Sequence, residues 1–194
     1  IVEPSAFPFL TEEMGHIEGG VIKFRFEDFI VEEIPLYAPG GEGDHTYLFI
    51  EKQGMATMDA LNQIARIINY PRKQIGYAGL KDARAVTRQW ISLEHLTPEK
   101  LESLSLPGLK VLQVARHSNK LRIGHLAGNR FILRLRKITT PLKEAHQRVE
   151  QIMEILAQRG VPNYFGPQRF GNRCDGQLLG EFVVKGDYEQ FIDQ

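Results

Sequence analysis

The stretch Ile75-Gly-Tyr-Ala-Gly-Leu-Lys-Asp-Ala-Arg-Ala-Val-Thr-Arg-Gln-Trp-Ile-Ser-Leu93 sets two β-forming runs on either side of a polar break. The short apolar run Ile75–Gly79 stops at Gly-Leu-Lys-Asp, and β character resumes from Ala85 to Leu93. Short runs of β-branched and aromatic residues bounded by Gly and Asp read as strands joined by a turn. Asp82 therefore falls in a strand-to-strand turn, a setting that suits a functional group.

Upstream, Val21-Ile-Lys-Phe-Arg-Phe26 alternates, with Lys23 and Arg25 on one face and Ile22, Phe24 and Phe26 on the other. That period of two predicts a strand at the start of Gly20–Ile34. Pro35–Asp44 reads as a loop and His45–Glu51 as the next strand, with a hairpin between the two. Thr57 is placed as the cap of a helix whose apolar positions Met58, Leu61, Ile64, Ala65 and Ile68 keep helical spacing until Pro71.

Downstream, Thr97-Pro98-Glu99 opens a short helix to about Leu104. Val111–Arg116, Lys120–Leu126 and Asn129–Arg136 read as three further strands, joined by turns at His117-Ser-Asn119 and Ala127-Gly128 and paired antiparallel. A long amphipathic helix is predicted from Pro141 to Arg159, with Gly160 at its C-terminal cap. Strand runs with helices between them, in place of regular βαβ units, give an α+β fold: a mostly antiparallel mixed sheet flanked by helices. Residues 1–159 read as one domain. The turn-rich Gly160–Gly171 opens a remainder, 160–194, too short to be a domain of its own. The first residue is Ile, and Tyr188–Gln194 is a helical pattern without a stop signal, so the chain reads as cut.

The 194 residues have the apolar, aromatic and charged fractions of a soluble globular protein. A single cysteine, Cys174, builds neither a disulfide framework nor a thiolate zinc site, which points to a reducing, cytoplasmic setting. No apolar run approaches a membrane span, and the N-terminus lacks the order of a signal peptide. The zero net charge hides a separation along the chain: twelve acids against three bases from Ile1 to Ala60, then nine bases and no acid from Ser103 to Lys143. The basic stretch suits contact with phosphates or, equally, a solvated surface balanced by the acidic third.

Gly76–Lys81 misses the spacing of a phosphate-binding P-loop, and Asp82 has no second carboxylate in sequence that would pair with it for glycoside hydrolysis. The six histidines never pair at metal-ligand spacing and read as surface or structural, so no metal is expected. Asp82 lies between Lys81 and Arg84, two cations that favour a charged carboxylate if they face it. A turn-forming aspartate is the plainer reading of that residue alone, as core packing is of Phe29 and Phe131 and a turn is of Asn129 and Asn163.

Several segments together resemble one family. Gly79-Leu-Lys-Asp-Ala-Arg-Ala-Val-Thr-Arg-Gln89 resembles the signature of TruD-type pseudouridine synthases, which place their catalytic aspartate in this Gly-x-Lys-Asp loop. Glu27-Asp-Phe-Ile-Val-Glu32, Gly40-Gly-Glu-Gly-Asp-His45, Leu126-Ala-Gly-Asn-Arg-Phe131 and Val161-Pro-Asn-Tyr-Phe-Gly-Pro-Gln-Arg-Phe-Gly171 are similar to further blocks, in the family's order. The resemblance implies the pseudouridine synthase catalytic fold, with 160–194 as the start of an inserted second domain. It implies Asp82 as the catalytic group, Lys23 as its basic partner, Phe29 and Asn129 at uridine-contacting positions and Phe131 in the pocket wall. The implied activity is isomerisation of a uridine in RNA, by choice the D-stem region (position 13) of tRNA, without cofactor or metal. The competing expectation is a catalytically incomplete RNA-binding relative, because the family adds a further pocket aromatic after the inserted domain. No oligomeric state follows from the sequence.

Overall fold

The computed structural model describes residues 15–102, 104–161, 173 and 175–193. Ile17–Leu142 form one unit, built on a sheet, and the helices that follow belong to another. In chain order the first unit contains β1 (Gly19–Val21), β2 (Phe29–Pro35), β3 (His45–Gln53), α1 (Thr57–Ile67), β4 (Gly76–Tyr77) and β5 (Val86–Glu94). These are followed by α2 (Glu99–Glu102), β6 (Ser105–Leu106), β7 (Leu109–His117), β8 (Leu126–Leu133) and β9 (Arg136–Ile138). The second unit carries α3 (Leu142–Arg159), α4 (Gly176–Lys185) and α5 (Tyr188–Asp193).

Seven strands form one sheet in the order β6-β7-β3-β5-β2-β8, with β4 paired to β5. β5 runs parallel to β2 and antiparallel to β3; every other pairing in this sheet is antiparallel. β1 and β9 form a separate two-stranded ribbon. The fold is the expected α+β mixed sheet flanked by helices.

Alternation sorts the side chains of the central strands. Leu48 and Ile50 of β3 and Ile91 and Leu93 of β5 meet Ala60, Leu61 and Ile64 of α1, all fully buried. Burying each of the larger of these aliphatic side chains contributes about 1.5–3 kcal/mol. The other face holds Tyr47, Phe49 and Trp90, and an ionic ladder across four neighbouring strands: Glu32 to Arg88 at 3.1 Å, Arg88 to Glu51 at 2.8 Å and Glu51 to Lys110 at 2.9 Å. Burial pushes the Glu51 carboxyl up, but Lys110 and Arg88 outweigh it and leave it below the usual range.

The expected strand at Val21–Phe26 is displaced. The chain leaves β1 at Val21, bends, makes a 3-10 turn at Phe26–Asp28 and only then extends as β2. The Asp28 carboxylate drives the bend by accepting the Arg25 N–H at 3.0 Å and Arg136 Nε at 2.6 Å. The expected hairpin of β2 with β3 does not form, because β5 inserts between them. The expected strand Lys120–Leu126 does not form, and only Leu126 is extended, as the first residue of β8: Leu121 N–H bonds to the Ser92 hydroxyl at 2.9 Å, and this loop crosses Gly76, where a Cβ would lie 2.3 Å from the Leu121 carbonyl. Ala127-Gly128 continues β8 and makes no turn, and β7 and β8 pair with β3 and β2, not with each other. Residues 162–172 and Cys174 lie outside the described residues, and with them Asn163 and most of the last family-like block.

One ion pair within the sheet unit is wholly buried: Lys81 Nζ meets Glu33 Oε2 at 2.7 Å, with both side chains almost inaccessible. The other Glu33 oxygen accepts the Trp90 N–H at 3.2 Å, so this carboxylate ties β2 to β5 and to the turn before it. Removing one partner leaves a buried charge uncompensated, which costs about 3–5 kcal/mol. Glu33→Ala should lower unfolding stability by that amount in urea titration, and Glu33→Met with Lys81→Met should recover most of it; equal losses in the two proteins would refute this account of the pair.

Candidate active site

The turn between β4 and β5 carries Asp82 on the helix-covered face of the sheet. Its backbone is held by side chains from three elements. Gln89 Nε2 of β5 donates to the Gly79 carbonyl at 3.2 Å. The Thr57 hydroxyl at the start of α1 accepts the Lys81 N–H at 2.9 Å and donates to Gln89 Oε1 at 2.8 Å. Lys52 Nζ of β3 donates to the Asp82 carbonyl at 2.9 Å and the Lys81 carbonyl at 3.4 Å. Thr57 thus makes no cap bond to its own helix, the role expected of it; its hydroxyl serves the turn.

The cation beside the Asp82 carboxylate is not a sequence neighbour. Lys81 points inward to Glu33, and Lys23 Nζ supplies the charge at 3.2 Å from Asp82 Oδ1. Lys23 has φ 54, in the left-handed region that a non-glycine residue enters at a cost of about 1–3 kcal/mol. The pairing of Val21 with Arg136 upstream and the Asp28 carboxylate downstream impose it. The hydrogen bond from Arg136 holds the Asp28 carboxyl below its usual range, outweighing the opposing effect of burial, with help from the Arg25 amide.

Lys23 Nζ also stands 4.0 Å from the centroid of the Phe29 ring, within cation–π range. Phe29 and Phe131 approach with centroids 6.0 Å apart at 48°. Asp82, Lys23, Phe29 and Phe131 are therefore contiguous. Asn129 joins them by register: it pairs opposite Glu33 on β8, two residues from Phe131, and so lies on the same face. It makes no hydrogen bond to the other four. The group is open, with Asp82 and Phe131 about half exposed.

A pocket of about 360 Å³ adjoins the ion pair, lined by Lys23, Phe24, Arg25, Phe26, Glu27 and Arg84. Its cations come from the acidic third of the sequence and from the turn itself. The nine bases of Ser103–Lys143 are dispersed by comparison: Lys110 is in the ladder on the opposite face, Arg116 bonds Thr46 and the Leu96 carbonyl, and Arg136 holds Asp28. Lys137 lies 4.8 Å from the Phe24 ring centroid. Two of the histidines serve locally: His117 Nδ1 accepts the Gly40 N–H at 3.0 Å, and His125 Nδ1 meets the Tyr37 hydroxyl at 2.8 Å. Among the described residues no cluster of three His, Cys, Asp or Glu is placed to hold a metal ion, and no helix is long and apolar enough to cross a membrane.

Lys52, Thr57, Glu33 and Gln89 were not singled out as site residues from sequence. Lys52 and Gln89 carried a readable signal, since parity places them with Leu48 and Ile50, and with Ile91 and Leu93, on the buried face.

Residues 7–194 match the family model for tRNA pseudouridine synthase D (TruD). A tRNA pseudouridine synthase D from Geobacter metallireducens is 48% identical over 175 residues, which are 90% of this chain and 43% of the relative. A Thermus thermophilus protein of the same name is 45% identical over 95% of this chain and 51% of its own length. A crystal structure of a Methanosarcina mazei protein named as a TruD superposes with a TM-score of 0.78 at 34% identity, covering 93% of this chain and 44% of that one. The chain spans about half the length of these relatives. With the sheet, the turn and these matches in agreement, the chain belongs to the TruD family.

Proposed function

We propose that the chain carries the catalytic core of a pseudouridine synthase that isomerises a uridine in tRNA, with Asp82 as the catalytic group. The observation that carries this reading is an exposed carboxylate on a turn whose backbone is clamped from below, paired to Lys23 beside the Phe29 and Phe131 rings. The reaction breaks the N1–C1′ bond and forms C5–C1′; the hydrogen leaves C5, N1 gains one, and no redox partner is needed. Asp82 starts it by attacking C1′ or by removing a nearby proton, and both routes use the charged carboxylate.

The uridine must leave its stack to reach Asp82, at a few kcal/mol, offset by stacking on an aromatic ring and by hydrogen bonds to the base edge. Phe29 or Phe131 supplies the ring and Asn129, with one acceptor and two donors, reads the uracil edge. The adjoining pocket suits the phosphates on either side of the extruded nucleotide. The finer target, the D-stem region of tRNA at position 13, follows the family resemblance, as do the division into a catalytic part at 1–159 and an inserted domain opening at 160. Cytoplasm is the compartment that fits.

Asp82→Ala should bind tRNA like the parent yet release no tritium from uridine labelled at C5. Release at the parent rate would remove Asp82 from its role, and a parent that binds but never releases tritium would favour the RNA-binding relative. RNA affinity should fall with salt, and Arg25→Ala and Arg84→Ala should each reduce the slope of log affinity against log salt by about one. Lys110→Met, on the other face of the sheet, should leave that slope unchanged; an affinity indifferent to salt would overturn the assignment of the pocket.

A further inference from the structure

Lys52 is a buried ammonium with no acidic partner among the described residues. It ends the apolar face of β3, only 1% exposed. All three of its donors go to main-chain carbonyls: Met55 at 2.7 Å, Asp82 at 2.9 Å and Lys81 at 3.4 Å. A methionine would fill nearly the same volume without the penalty of burying a charge. What the lysine supplies is a rigid tripod of hydrogen bonds, two legs of which end on the peptide groups either side of the Asp82 Cα. Fixing both peptide planes fixes the direction of the Cα–Cβ bond, and with it the place from which the Asp82 carboxylate acts.

We propose that Lys52 is a positioning residue for Asp82: its protonated side chain anchors the Lys81 and Asp82 carbonyls and thereby aims the catalytic carboxylate. This rests on the reading of Asp82 given above. Lys52 touches no reacting atom and works through the turn. The tripod requires the charged form, because a neutral amine keeps two N–H donors and must release one carbonyl. Burial pushes the Lys52 ammonium down to about 8, against the attraction of Asp82 and Asp59 and together with repulsion from Lys81. Of these neighbours, Asp82 is itself paired with Lys23 and Lys81 with Glu33, while Asp59 stands on α1. Activity should therefore fall as pH rises through about 8, where the tripod loses its third hydrogen.

The test compares the full chain with Lys52→Met and Lys52→Gln, neither of which titrates there. Tritium release from tRNA labelled at uridine C5 is followed across pH, with thermal unfolding and deuterium uptake over residues 79–84 measured alongside. The expected result for Lys52→Met is a loss on the order of 10²-fold in kcat, the size of effect that a small misplacement of a catalytic group produces. KM should stay near the parent value and uptake over 79–84 should rise, while the melting temperature serves to show that the variant is folded at the assay temperature. The uracil ring also ionises in alkali in every variant, so the diagnostic is the difference between profiles: the limb near pH 8 is present in the parent and absent from both variants. Should Lys52→Met fail to fold, Lys52→Gln carries the same readouts. Parent-like kcat in a folded variant, or a persisting limb near pH 8, overturns the proposal. A parent that releases no tritium at all defeats the reading of the reaction instead. Deuterium uptake then decides for Lys52, a rise upholding the anchor and no change refuting it.

Discussion

A turn that carries an exposed carboxylate across the face of a sheet cannot satisfy its own backbone through strand pairing, yet each buried N–H and carbonyl needs a partner. Here the partners are buried side chains. Gln89, Thr57 and Lys52 take the Gly79 carbonyl, the Lys81 amide and the Lys81 and Asp82 carbonyls, and Glu33 takes the Lys81 side chain. These groups come from β5, α1, β3 and β2. They converge only because β5 lies between β2 and β3 with α1 packed on the same face, so the sheet order is the precondition for the site.

The same alternation that builds the site face explains where the remaining charge goes. On the opposite face Glu32, Arg88, Glu51 and Lys110 pair across four strands, which consumes equal numbers of acids and bases. Net charge and its distribution along the sequence are therefore poor guides to the surface around Asp82. The cation beside Asp82 is Lys23, and Arg25 and Arg84 line the adjoining pocket with it; two of these three come from the third of the chain with the most acids, while several bases of the acid-free stretch are committed to internal partners.

Local pattern was legible wherever one face was apolar: β3, α1, β5 and the turn holding Asp82 follow from spacing and breakers. Strand partners were not, because nothing local in β2 or β3 says that a strand about thirty residues downstream of β3 will insert between them. Val21–Phe26 misled for a different reason. Its alternation is that of a strand, but the Asp28 carboxylate captures the Arg25 amide and Arg136, and a long-range ion pair overrides a short-range propensity. In the candidate site, Asp82, Phe29, Asn129 and Phe131 could be named because they fall within the family-like blocks of the sequence. The groups beneath the turn escaped notice because they look like ordinary members of a strand or a helix start. Lys52, Gln89 and Glu33 broke pattern, as polar or charged residues at apolar parities of their strands.

The two ion pairs around the turn also divide its labour. Lys81–Glu33 is sealed from water, so separating it leaves an uncompensated charge, and the turn backbone is correspondingly fixed. Lys23–Asp82 is partly exposed, with side chains 26% and 43% accessible, and an exposed pair is worth only about 0–1 kcal/mol. A ligand can therefore draw the carboxylate away from Lys23 at little cost while the peptide groups behind it stay in place. The arrangement suits a group that must hold its position before substrate arrives and then exchange one charged partner for another: the backbone supplies preorganisation, and the weak outer pair lets the carboxylate be engaged without moving the scaffold.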